Sequence, residues 1–158
     1  MLWLAIPSLV ATGLVSCAQA PVASTAETAS PEALVRQFWD VFNRAAWDEL
    51  DALVAPNYAH HTGGVDLTLA QFKAGGAWVH HGLAQYNLHI DSLVVQGDVV
   101  AIRWTARGLH SASMFGEAPT NREVVARGMH FHRIAGGRIA EDWEVIDMAA
   151  FRQELEKR

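Results

Sequence analysis

Apolar positions follow a helical period in the first part of the chain and a period near two in the second. From Pro31 onward, Leu34, Val35, Phe38, Trp39, Val41 and Phe42 fall on one broad stripe, the mark of a helix with one buried face. Ser30 is a suitable cap and Pro31 suits the first turn, so a helix is expected to run to about Asn43. A short second helix is expected from Trp47 to Val54, stopped by Pro56-Asn57 and followed by an extended piece from Tyr58 to Thr62. After a turn at Gly63-Gly64, Thr68 to about His81 reads as a third helix, weakened by Gly75-Gly76 in its middle. Beyond Gln85 the alternation predicts strands at Tyr86 to Val95, Val99 to Gly108, Arg122 to Ile134 and Arg138 to Ile146. Gln96-Gly97-Asp98 and Ala135-Gly136-Gly137 are short connections suited to antiparallel hairpins. Asp147 to Glu156 closes the pattern as a helix. Helices first and long antiparallel strands afterwards describe an α+β domain, not a parallel βαβ sheet.

The N-terminus follows neither period. Residues Met1 to Val15 are almost wholly apolar and uncharged, and Leu14-Val15-Ser16-Cys17 leads into a Ser/Thr/Ala stretch that ends near Ser30. That is the shape of an export signal and a flexible tether; the run is shorter than the roughly 20 residues a bilayer-spanning helix needs. The tetrad ending in Cys17 resembles a bacterial lipobox, whose cysteine is lipidated. An ordinary cleavable signal with Ala18-Gln19-Ala20 as its cleavage site is the alternative. The expected organisation is therefore a lipoprotein-type signal over 1–17, a tether over 18–30 and one folded domain over 31–158, giving an exported protein that meets the membrane only through its lipid anchor.

Composition narrows the chemistry. With 158 residues, 51% of them hydrophobic, the chain can bury one good core and is short for two. Twelve Lys and Arg against 17 Asp and Glu give a net charge of −5 with no like-charge run, which argues against nucleic-acid binding. Cys17 is the only cysteine, so no disulfide can form within the folded part. Eight histidines and six tryptophans are more informative. His130 and His132 lie two apart on a predicted strand and share one face, with Met129 and Phe131 on the other. Either pair could face inward. Parity sets His110 on the side of Ile102, Trp104 and Ala106 unless a bulge near Gly108 reverses it.

Several stretches in order resemble one family. They are Phe38-Trp39-Asp40-Val41-Phe42-Asn43, Trp47-Asp48-Glu49-Leu50-Asp51, Pro56-Asn57-Tyr58-Ala59-His60-His61, the run from Gly97 to Trp104, Gly108-Leu109-His110, the run from Phe115 to Thr120, and Gly137 to Trp143 ending at Asp147. Together they are similar to the SnoaL-like polyketide cyclases of the nuclear transport factor 2-like superfamily. The resemblance implies a cone-shaped α+β barrel, with a curved antiparallel sheet wrapped around N-terminal helices, an internal pocket for a small molecule and no cofactor. A homodimer is also expected.

Fold alone does not choose an activity, and the resemblance offers residue roles. His61 occupies the position where the similar ketosteroid isomerases place a proton-moving base, and His60, alternating with it, should face away. His110 matches a family histidine, although Leu109 replaces the usual threonine before it. His130 sits where the isomerases carry an oxyanion-binding acid. Asp147 closes the Trp-x-x-x-Asp signature on the parity of Glu141 and Trp143, and competes with a role as a helix cap. Glu141 could instead be the acid. Trp39, Trp104, Trp143 and Phe38 are pocket walls or core, with His132 beside them. Phe38 stands where the isomerases use a tyrosine hydroxyl, which speaks against steroid isomerisation. These residues suggest a cofactor-free cyclase, isomerase or lyase acting on a carbonyl compound; a non-enzymatic binding lipoprotein and a zinc site of His110, His130 and His132 are the other readings.

Overall fold

The computed structural model describes residues 29–157. The signal, the lipobox cysteine Cys17 and most of the tether lie outside them. Helix α1 (Pro31–Asn43) begins where the sequence predicts: the Ser30 side chain accepts a hydrogen bond from the Ala33 amide, and Leu34, Val35, Phe38, Trp39, Val41 and Phe42 are all buried. A 3-10 turn at Trp47–Glu49 and a one-turn helix α2 (Leu50–Leu53) share the second helical region. Helix α3 (Leu69–Gly82) starts on a capping box between Thr68 and Gln71, which satisfies orphan backbone donors on both sides of the boundary. Gly76 does more than weaken this helix. A Cβ there would lie 2.7 Å from the Trp47 ring and 2.9 Å from that of Phe42, so the glycine lets α3 approach the first helical layer.

Strands β1 (Val54–Thr62), β2 (Val65–Thr68), β3 (Leu83–Gln96), β4 (Val99–His110), β5 (Glu123–Ala135) and β6 (Arg138–Ile146) form one six-stranded sheet in the order β2-β1-β6-β5-β4-β3. Neighbours are antiparallel except β1 and β6, which run parallel. The short edge strand β2 is an addition to the sequence reading. Helix α4 (Met148–Glu156) follows.

The sheet curves around α1, and its inner face supplies Leu88, Val100, Ile102, Trp104 and Ala106 to the core that α1 fills. A smaller cluster of Leu83, Met114, Val124, Phe151 and Leu155 joins α4 to the other end of the sheet. One irregularity decides what β6 shows to the interior. Arg133 pairs with Glu141 but Ile134 pairs with Ile139, so β6 holds one extra residue and its alternation is reset at Ala140. Ala140 and Asp142 point inward and are buried, whereas Trp143 and Val145 point out.

Candidate functional site

A cavity of about 520 Å³ lies between the inner face of the sheet, α1, α3 and α4. Its walls are largely aromatic and aliphatic, with Trp39, Phe42, Phe72, Tyr86 and Trp104 among them, and the ionisable side chains His60 and Glu144 meet it together with Thr62. Behind that polar patch is a buried network. Asp142 accepts a 2.7 Å hydrogen bond from the Tyr58 hydroxyl on one oxygen and pairs with His60 Nδ1 on the other. Glu144 accepts a 3.1 Å hydrogen bond from the Thr62 hydroxyl on Oε2, where His60 Nε2 lies 3.5 Å away, and His130 Nε2 lies 3.2 Å from Oε1. Two indoles close the network from the core side: Trp104 donates to His130 Nδ1 at 2.8 Å, and Trp39 donates to His132 Nε2 at 3.2 Å. The rings of His130 and His132 stack with planes 4° apart.

The geometry sets the charges. Burial works against a proton on His60, but hydrogen bonds to Asp142 and Glu144 outweigh it and push its pKa up to about 9. Burial likewise resists ionisation of Glu144, yet the donors His130 and His60 hold its carboxyl well below the usual range. Asp142 is held low in the same way, with His60 the main donor against burial. His132 goes the other way. Burial first, and the neighbouring His130 second, bring it down to about 3, so it stays uncharged. Burial and Asp142 push the Tyr58 phenol far above its ordinary value, and burial and Glu144 do the same to Tyr86; both remain hydroxyls. At neutral pH the network thus contains two carboxylates and the His60 imidazolium. Buried charges survive only when paired and hydrogen-bonded, and each of these is.

The candidates named from the sequence are divided by this arrangement. His130, His132, Trp39 and Trp104 come together. Phe38 is core, fully buried against Trp39, Phe72 and His132. His110 is buried on the side that parity predicted, at the far end of β4, where it faces Leu83 in register and lies 3.5 Å from the Thr120 hydroxyl; it lines no part of the cavity.

The others require correction. His61 and His60 exchange places: His60 is buried, and His61 lies on the outer face, stacked on Trp143 at 5.1 Å and 2.6 Å from Asp66. The cause is pairing, since β1 aligns His60 with Asp142 and His61 with Trp143. Glu141 also points outward, in an ion pair with Arg133 at 2.9 Å, and Trp143 is exposed, both because of the β6 bulge. Asp147 caps α4 through its side chain, accepting from the Ala150 amide at 3.0 Å. The zinc set also changes. Among the described residues the group with metal-like spacing is His60, His130 and Asp142, without His110 or His132.

Sequence reasoning passed over Tyr58, His60, Asp142 and Glu144. Their signal was an alternation of polar residues on two strands, Tyr58-x-His60-x-Thr62 and Asp142-x-Glu144, repeating the spacing of His130-x-His132. Polar alternation normally marks a solvent face, which hid it.

Fold and site define a cone-shaped α+β domain with an apolar internal pocket and a buried acid/base network at its wall. The chain belongs to the SnoaL-like polyketide cyclase family, whose model matches residues 32–155. Among solved structures, IdmH of Streptomyces antibioticus, a polyketide cyclase candidate, is 23% identical with a TM-score of 0.76, covering 82% of this chain and 100% of its own. AclR of Streptomyces galilaeus, a hydroxylase candidate, is 22% identical with a TM-score of 0.74, covering 81% and 96%. A SnoaL-like polyketide cyclase candidate from Jannaschia is 16% identical with a TM-score of 0.73, covering 81% and 92%. At these identities the likeness concerns the fold. No curated protein matches the sequence closely.

Proposed function

We propose that this protein is a cofactor-free acid/base catalyst of the cyclase or isomerase type, acting on a small, largely apolar carbonyl compound. One observation carries the reading: the Glu144 carboxylate meets an otherwise apolar cavity while the Thr62 hydroxyl holds it in place. A carbonyl ligand seated there would give up a proton from its α-carbon to Glu144, and the C–H electron pair would become the enolate. Charge developing on the carbonyl oxygen would be stabilised by the His60 imidazolium or the Tyr86 hydroxyl, both at the cavity wall. The enolate then takes the proton back at another atom, or its carbon forms a bond to a second carbonyl within the ligand. Apolar walls strengthen each of these interactions by excluding water.

Turnover of small enolisable aromatic ketones and aldehydes tests the proposal when measured beside affinity, read from quenching of tryptophan fluorescence. Glu144→Gln should lower turnover by roughly 10²- to 10⁴-fold, the usual worth of a positioned base, and leave affinity within a few-fold. Tight binding with no turnover of any bound carbonyl would favour a non-enzymatic binding protein. The apolar run ending in Cys17 favours that second reading, because it fits export to a compartment outside the cytoplasm. Under either reading we propose a lipid anchor at Cys17. Cys17→Ser should shift the protein from the membrane pellet to the soluble fraction, and an unshifted variant would remove the anchor from the account. We also retain the homodimer as a proposal, with the exposed apolar face of Met129, Phe131, Trp143 and Val145 as its surface.

A further inference from the structure

His60, His130 and Asp142 are all buried and can each bring one ligand atom within 4.8 Å of the others. That spacing would suit a first-row divalent cation. The hydrogen bonds around them point the other way. An indole N–H can only donate, so the His130 nitrogen that accepts from Trp104 at 2.8 Å, Nδ1, is bare. The proton of that ring is therefore on Nε2, the atom that faces Glu144 Oε1 at 3.2 Å. A histidine bound to a metal has the reverse arrangement: its bare nitrogen meets the ion, and its N–H is given to a carboxylate, carbonyl or water. His132 is set in the same sense, with Trp39 donating to Nε2 and Nδ1 turned toward Asp142 Oδ2 at 3.7 Å.

The Trp104 indole cannot easily turn away from this task. Its ring lies against Gly128, its partner in register on β5, where a Cβ would come 2.8 Å from indole Cε2 and 2.5 Å from the Val145 carbonyl. Only glycine leaves room for the ring two residues before His130. Trp104 itself is buried.

We propose that Trp104 is a positioning residue that fixes His130 as the Nε2–H tautomer, and by doing so denies the His60, His130 and Asp142 cluster to divalent metals. The proposal builds on the reading of the cluster as an acid/base network, but it concerns tautomers and metal binding, both measurable without substrate. If Glu144→Gln kept full turnover while the tautomers were as stated, only the functional reading would fall. The role goes beyond packing: a ring that merely filled space would leave the histidine proton free to sit on either nitrogen.

The test is ¹⁵N NMR of histidine-labelled full-length protein, using two-bond correlations to assign the protonated nitrogen of His130, together with titration by cobalt(II) followed through its visible absorption. The native protein should show a bare Nδ1 and a protonated Nε2 at His130. Trp104→Phe keeps a ring and removes the N–H; it should lose that preference and bind cobalt about 10- to 100-fold more tightly than the native protein, the scale on which outer-sphere partners act. A native protein with the His130 proton on Nδ1, or a folded Trp104→Phe variant that binds cobalt no more tightly, overturns the proposal. Should the variant fail to fold, the native tautomer alone decides.

Discussion

Strands β5 and β6 have opposite chemistries on their two faces. Inward they present His130, His132, Asp142 and Glu144, nearly all of them fully buried; outward they present Met129, Phe131, Trp143 and Val145, all exposed. An antiparallel sheet with one wet face normally does the reverse. The difference teaches that the burial of a strand face is decided by partners as much as by polarity. Most inner polar groups find a complement on a neighbouring strand or on α1: His60 and Tyr58 for Asp142, Thr62 for Glu144, Trp104 for His130 and Trp39 for His132. The outer apolar residues remain exposed, with His61 stacked on Trp143.

Removing one inner partner should therefore cost the most. Asp142→Asn leaves the His60 imidazolium with one carboxylate and changes what Tyr58 meets. Breaking a buried pair in this way costs about 3–5 kcal/mol, which should appear as a lower midpoint in urea with little change in slope. A change within about 0.5 kcal/mol would mean that the inner face is wetter and less coupled than the geometry indicates.

The pH dependence of stability separates the members of the inner face. His60 has a folded pKa raised from 6.5 to about 9, so its contribution is complete below 6.5 and is lost as pH rises through 9. His132 is lowered from 6.5 to about 3. Below 6.5 the unfolded chain takes up a proton that the folded ring refuses, and stability falls from there toward 3. The lowered Asp142 and Glu144 contribute above their ordinary range near 4 and lose that contribution on further acidification. Thermal midpoints across pH should thus decline on both sides of neutrality. His60→Gln should flatten the alkaline side, and His132→Gln, which can still accept from Trp39, the acid side between 6.5 and 4. Unchanged profiles would show that these rings titrate as free histidines.

The outer face should respond least. Val145→Thr, at a residue 72% exposed, should alter the unfolding free energy of the isolated chain by less than about 0.5 kcal/mol. Val145→Glu should instead weaken self-association in sedimentation equilibrium. A large loss of monomer stability would remove the contrast between the faces.

Most of the fold was legible because its signals are local. Ser30-Pro31 and the glycine-bearing hairpins each specify a boundary within a few residues, and the alternation in β4 placed His110 on its buried side. The site was less legible because its determinants are pairings. Whether His60 or His61 faces inward depends on the register of β1 against β6, two segments more than 80 residues apart in sequence, and no local residue states it. The β6 bulge at Ala140 swaps Glu141 and Trp143 for Asp142 and Glu144 without a glycine to announce it. Asp147 was read both as a site carboxylate and as a cap; the structure has it capping α4.

The central claim is that the Glu144 carboxylate moves a proton from carbon, and deuterium wash-in measures that step alone. An aromatic ketone that binds the cavity would be held in D₂O with the protein, and loss of its α-proton signal followed by NMR. The native protein and Glu141→Gln, altered on the outer face, should both catalyse exchange, while Glu144→Gln should reduce it by roughly 10²-fold or more. Exchange that survives intact in Glu144→Gln, or no exchange of any bound ketone by the native protein, would contradict the account.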